Sequence, residues 1–188
     1  MERETLTLRW QGLNIPVILL DAAVVGSGAA GFSAACRLDE LGMKNIALIT
    51  EGAAMGTSRN TGSDKQTYYK LSLCGDTTDS VQDMARTLFS GGSMDGDIAL
   101  IEAACSARNF TRLADLGVPF PHNEYGEYAG YKTDHDPRQR ATSAGPLTSK
   151  YMTEALEADA RRRGIPVYDG YLVIGIITDK NACCGLLA

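Results

Sequence analysis

No window of the 188-residue sequence approaches the length of an apolar membrane-spanning helix. The opening "MERETLTLRWQG" carries charge from its second residue and has no basic stretch leading to a small-residue cleavage site, so it makes a poor signal peptide. Excess basic charge is also missing. The net charge is −5, and the one basic run, Arg161-Arg162-Arg163, sits just before Gly164, where cations favour the negative end of a helix. That balance gives no reason to bind nucleic acid. Histidine is scarce, with only His122 and His135. Both fall in an irregular stretch where a solvated loop role is expected rather than catalysis. The five cysteines are odd in number and lack metal-type spacing, which argues for reduced thiols in a cytoplasmic protein and against a disulfide framework. Cys183-Cys184 reads as two ordinary strand residues. There is no internal repeat and no low-complexity tract.

What is present is a globular composition, 44% hydrophobic and 22% charged, long enough for one domain with a substantial core. Val17 to Val25 is an extended apolar segment that includes the first core strand. Ala29 to Leu41 follows as a helix stopped by Gly42, then Ile46 to Thr50 as a second short strand. This spacing fits a crossover between two parallel neighbours in a buried sheet. Val81, Met84, Ala85, Leu88 and Phe89 fall at helical spacing with Asp79 or Ser80 placed to cap. Helical pattern resumes from Ile98 to Leu116, with a break anticipated near Asn109. Residues 118–146 have no period and form a long connector of the functional or disordered kind. A helix over Ser149 to Arg163, a strand over Leu172 to Thr178, turn chemistry at Asp179-Lys180-Asn181 and a returning strand over Cys184 to Ala188 complete the chain.

The informative stretch is "DAAVVGSGAAGFSAACRLDELG". Gly26 permits the tight turn out of the strand, Gly28 lets backbone approach a pyrophosphate with no Cβ in the way, and Gly31 lets the helix pack closely on the strand. The first turn of that helix then offers unpaired amides and a positive dipole end to phosphate. Glycine spacing alone is weak, but the strand before it, the alanine-rich helix after it and an acid ending the next strand all agree. Glu51 stands 20 residues beyond Gly31, where a carboxylate can accept hydrogen bonds from an adenosine ribose. Its other reading is a solvated residue after a strand.

These residues, with "ALITEG" and the Gly/Ser/Thr stretch after it, resemble the FAD-binding start of the fumarate reductase, succinate dehydrogenase and L-aspartate oxidase flavoproteins. "LADLGVPF", "DPRQRATSAGPLTSKYMTEALEADARRRGIPV" and "LVIGIITDKNACCGLLA" extend the resemblance over most of the chain. It implies an α/β fold: a Rossmann-like FAD-binding domain over residues 1–188, with a parallel sheet, covering helices and a small antiparallel β-meander near the C-terminus. It also implies hydride transfer between flavin N5 and a small dicarboxylate. By position Gly26, Ser27, Gly28, Ala29, Ala30 and Gly31 would surround the pyrophosphate and Glu51 would hold the ribose. Gly56, Thr57, Ser58 and Arg59, then Thr61, Gly62 and Ser63, would reach the phosphates and flavin, while Val173 would meet the adenine. Arg138 is the best placed residue for a polar contact near the flavin.

Two departures matter. Members with covalently attached flavin carry a histidine after the Gly-Gly-Ser run. None occurs here before His122, so FAD is expected to be held noncovalently. The family's substrate-binding histidines and arginines lie in later segments, including a capping domain, that these residues do not match. The chain is therefore expected to be the truncated N-terminal portion of an oxidoreductase, inactive alone, prone to self-association and to disorder around residues 56–66 and 118–146. The parent would act on a small molecule and pass electrons to a partner. A nicotinamide-dependent dehydrogenase domain and a dinucleotide-binding module without turnover stand as alternatives.

Overall fold

A strand of five apolar or small residues is stable in the middle of a sheet only if both of its faces are covered. Ile46, Ala47 and Leu48 meet that demand, with at most 1% of any of them exposed. The computed structural model describes residues 5–75, 77–133, 136 and 138–188, with Trp10 described by its backbone alone. Up to the middle of the chain the elements are β1 (Thr5–Trp10), β2 (Leu13–Ile18), β3 (Ala22–Val25), α1 (Ala29–Glu40), β4 (Ile46–Thr50), α2 (Thr57–Asn60) and β5 (Tyr68–Tyr69). Then come α3 (Val81–Ser90), α4 (Gly96–Asp115), β6 (Ala141–Thr142), α5 (Thr148–Arg162), β7 (Val167–Asp169), β8 (Gly175–Asp179) and β9 (Ala182–Leu187). The described residues fall into two compact units, one running to Asn60 and resuming at Leu156, the other Thr61–Ala155.

In the first unit β4 is the middle strand of a three-stranded parallel sheet ordered β3-β4-β7, with Val25 opposite Ile49 and Leu48 opposite Val167. α1 covers it with Phe32, Ala35 and Cys36, all fully buried. At its far end Arg163 pairs with Asp39 at 3.1 Å and with Glu40 at 3.0 Å, fastening the chain after α5 to α1. The family fold and the parallel sheet are as expected; β7 is an addition, three residues too short to show a period. The single extended segment over Val17 to Val25 is corrected. Val17 and Ile18 belong to β2, which pairs back on β1 through a tight turn at Gln11 and Gly12. Both turn residues have positive φ, 48° and 81°, as a two-residue hairpin with right-handed strand twist requires. Gln-Gly is a less conspicuous signal for that turn than Asn-Gly. The antiparallel sheet near the C-terminus is the hairpin β8–β9, turned at Lys180 and Asn181, with a register irregularity between Ile177 and Thr178.

In the second unit α3 and α4 pack on each other around Met84, Ala99, Ala103 and Phe110. α4 is continuous through Asn109, so the anticipated break is absent. Phe110 and Leu113 on its buried face hold the turn together where propensity falls. The cap of α3 is Ser80, whose Oγ accepts from the Asp83 amide at 3.1 Å. Replacing Ser80 with alanine should lower stability by about 1 kcal/mol. Urea unfolding reads it, and an unchanged midpoint would mean that Asp79 substitutes as the cap.

The described residues of the irregular connector are pinned rather than loose. Val118, Phe120, Arg140 and Ala141 are buried, Tyr131 exchanges backbone hydrogen bonds with Ala141, and Lys70 N–H donates to the Arg140 carbonyl. Arg140 explains how: its guanidinium meets Asp79 through two hydrogen bonds of 2.8 and 2.7 Å and also reaches Asp136, Tyr69 and Thr87. Burial works against both charges of the pair, but hydrogen bonding outweighs it. The Asp79 carboxyl is pulled down to about 2 by Arg140 and by the amides of Ser72 and Ser80, and the Arg140 pKa is raised by Asp79 and Tyr69. Beside this cluster the fully buried Lys70 lies 4.8 Å from the centre of the Phe110 ring, and burial lowers its pKa.

Candidate functional site: the glycine turn

The turn from β3 into α1 is where parallel strands end and a helix begins, the place where an open α/β sheet takes its ligand. Gly26 N–H donates to the Ile49 carbonyl at 2.8 Å, so the turn and the end of β4 lie at the same edge of the sheet. Glu51 follows β4 directly and is exposed. It lies at the edge where the sequence places it.

Each glycine meets a different constraint. Gly26 has φ of +101°, which a side chain would strain. A Cβ on Gly31 would lie 1.9 Å from the Gly26 carbonyl oxygen, so the helix could not sit where it does. Gly28 differs from both. Its φ is −77° and ψ 178°, an extended conformation open to any residue, and the nearest atom to a Cβ there would be Ser58 Oγ at 3.6 Å, an ordinary contact. Nothing in the fold demands glycine at this position. It also caps α1 without a side chain, so the amides of Ala29, Ala30 and Gly31 open the helix with no side-chain acceptor at the cap. A bare backbone at a helix N-terminus, where the fold would accept a side chain, fits a pyrophosphate.

The segment after Glu51 folds onto this turn. A Cβ on Gly56 would approach Gly28 Cα and Ser27 O at 3.3 Å, so Gly56 is the close-packing residue that lets α2 start there. Asn60 Nδ2 holds that start by donating to the Ala54 and Gly56 carbonyls. Thr57 is exposed and Ser58 is half-buried against Gly28.

Several site residues have duties the sequence did not disclose. Ser27 is buried, its hydroxyl 3.0 Å from Thr50 Oγ1 and bonded to the Gly52 carbonyl, so it braces the turn against β4 and leaves only its main chain for a ligand. Arg59 is paired with Glu157 of α5, and its charge is met within the protein. Val173 lies outside the strands, just before β8, because the ladder with β9 ends at the pair Gly175 and Leu187. Thr61, Gly62 and Ser63 belong to the second unit and are exposed there. In that same unit Arg138 stands 3.7 Å from Asp83, an acid of α3. His122 is exposed with its Nδ1 against the Asn123 carbonyl, and His135 lies outside the described residues. Among the described residues no cluster of histidine, cysteine and acidic groups could hold a metal, and no helix is long and apolar enough to cross a membrane.

Comparison with known proteins agrees with this geometry. The FAD binding domain family matches residues 21–188. The chain belongs to that family, and its cofactor is FAD. It is 29% identical over 167 residues to an L-aspartate oxidase of Streptomyces coelicolor, a match covering 87% of this chain and 28% of that protein. Among solved structures it is similar to E. coli quinol fumarate reductase FrdA, with 20% identity, a TM-score of 0.74 and coverage of 89% of this chain and 28% of the other. It is likewise similar to Mycobacterium smegmatis Sdh1, with 19% identity, a TM-score of 0.73 and coverage of 87% and 29%. The chain thus spans under a third of the length of each of these relatives.

Proposed function

We propose that this chain is the FAD-binding segment of a flavin-dependent oxidoreductase, in which hydride passes between flavin N5 and a small dicarboxylate substrate. The observation that carries the cofactor reading is Gly28, a glycine the fold does not need at a helix start it leaves open. The dicarboxylate follows from the relatives, whose names specify aspartate and fumarate, both four-carbon diacids.

In this reading the main chain of Gly26 to Gly31 receives the pyrophosphate, with α1 contributing its dipole. Glu51 accepts from the ribose hydroxyls, and Thr57 and Ser58 donate to phosphate. Bound FAD supplies the centre that accepts or gives hydride; the protein's part is to orient it and to exclude competing water. FAD is held without a covalent link, since the 121 residues before His122 contain no histidine. Substrate contacts and electron delivery belong to the parent protein, and its location is cytoplasmic, in keeping with free cysteines.

Titration of FAD, NAD and ADP into the purified chain, followed by flavin fluorescence and by calorimetry, tests this. FAD should bind more tightly than NAD. Glu51→Ala, a change at an exposed position, should weaken FAD about tenfold through lost charge-assisted hydrogen bonds while leaving unfolding unchanged. Preference for NAD, or full affinity in the alanine variant, would overturn the assignment.

A further inference from the structure

The loop that carries Glu51 is tied to the strand beside it. β7 ends opposite the end of β4, with Asp169 in register with Thr50. Beyond the ladder two more hydrogen bonds join the chains. Tyr171 N–H donates to the Thr50 carbonyl at 3.0 Å, and Asp169 Oδ1 accepts from the Ala53 amide at 2.8 Å. Parallel neighbours lie only about 4.8 Å apart, so a side chain as short as aspartate reaches a main chain that has just left the ladder. All of these residues belong to the first unit, as do the glycine turn and Glu51.

Glu51 is thereby bracketed. On one side Thr50 is held in the ladder and by Tyr171. On the other, Gly52 N–H donates to Thr50 Oγ1 at 3.4 Å, its carbonyl accepts from the buried Ser27 hydroxyl and from Met55 N–H, and Ala53 ends on Asp169. Glu51 itself is exposed, so its place comes from the main chain on either side and not from packing of its own side chain. Ser27 and Thr50 also bond each other beneath the glycine turn, and replacing either disturbs the phosphate end as well. Asp169 reaches the loop from 116 residues later and can be changed separately. It is exposed, where one hydrogen bond adds little to stability, and it puts a negative charge at strand ends that receive an anionic ligand. Service to Glu51 accounts for it there.

We propose that Asp169 is a positioning residue for nucleotide binding: by holding the Ala53 amide it sets the loop from which the Glu51 carboxylate meets the ribose. The proposal rests on the reading of Glu51 as the ribose ligand, and it extends the adenosine site from two strands to three.

The test is calorimetric titration of ADP into the 188-residue chain, into Asp169→Ala, Asp169→Asn and Glu51→Ala, and into the double variant Glu51→Ala/Asp169→Ala, with urea unfolding of each. Asp169→Ala should weaken ADP about fivefold, the scale of one residue's backbone restraint given back. Asp169→Asn keeps an oxygen acceptor for the Ala53 amide and should stay within about twofold of wild type. In the Glu51→Ala background the Asp169→Ala change should have almost no further effect, because changes that act on one contact are not additive. Full ADP affinity in Asp169→Ala, an asparagine variant no better than alanine, or a loss that multiplies with that of Glu51→Ala would overturn the positioning role and leave the ribose assignment standing. Full ADP affinity in Glu51→Ala, or no ADP binding by the wild-type chain, would overturn that assignment itself, and with it this proposal.

Discussion

Gly28→Val should abolish useful FAD binding and leave the protein folded. The backbone at Gly28 is extended, so valine suits it conformationally, and the closest atom to the new Cβ is 3.6 Å away. Valine is a poorer helix cap than glycine, which should cost about 1 kcal/mol of stability. The loss in binding is much larger. A Cβ with two methyls occupies the space a pyrophosphate needs, and two amide-to-phosphate hydrogen bonds at about 1.5 kcal/mol each amount to roughly a hundredfold in Kd. Gly31→Ala is the contrasting variant. Its Cβ would fall 1.9 Å from a carbonyl oxygen, so α1 must shift off β3, at a cost of about 3 kcal/mol or more. FAD titration and urea unfolding on both proteins should therefore give opposite patterns: binding lost with stability kept at residue 28, stability lost at residue 31. Equal stability losses in the two would show that Gly28 is a packing residue and not a ligand residue.

The second large effect is expected at Arg140. Its side chain is fully buried between Asp79 and Asp136, whose side chains are exposed by only 1% and 2%. Arg140→Met keeps the length and removes the charge, stranding two carboxylates, and should cost about 3 to 5 kcal/mol at pH 7. Acid should distinguish the two proteins further. In the wild type Asp79 has its folded pKa depressed to about 2, below the roughly 3.9 of an unfolded aspartate. That depression stabilises the fold above about pH 4, and the contribution is lost as pH falls through the window from about 4 to about 2, where the unfolded chain binds the proton first. Without Arg140 only the Ser72 and Ser80 amides still oppose the effect of burial, so the depression shrinks and the variant's deficit should narrow on going from pH 7 to pH 3. Denaturant midpoints at the two pH values measure this; a deficit that stays constant would mean that Arg140 acts through packing alone.

The parts of this protein legible in its sequence are those whose cause is local. Gly26, Gly28 and Gly31 are separated by two and three residues, and each answers a constraint set within one strand-turn-helix unit, so their spacing is readable. Ile46 to Thr50 appears as a strand because a short apolar run ends at an acid. The cap at Ser80 is three residues from the amide it serves. What escaped depends on partners far along the chain. Arg140 lies 61 residues from Asp79 in a stretch with no period, and nothing near it indicates that an irregular connector is anchored by an ion pair. Nothing near Arg59 in the sequence indicates its ion pair with Glu157, 98 residues later. β7 has only three residues and becomes a strand because β4 offers it a free edge.

The pairing of β4 with β7 has a consequence for how the protein is made. Leu48 lies opposite Val167, so β3, α1 and β4 leave the ribosome 119 residues before the strand that completes their sheet. At about 5 to 20 residues per second that interval is roughly 6 to 24 seconds. Throughout it, one edge of β4 presents unpaired amides and carbonyls beside Ile46, Ala47 and Leu48, side chains that are sealed off in the finished protein. The whole of Thr61–Ala155 emerges within that interval and contains both partners of its own anchoring ion pair, Asp79 and Arg140. Synthesis therefore favours an order in which the inserted unit matures first and the nucleotide-binding sheet last, and the β4 edge is the part of the nascent chain that chaperones would have to shield.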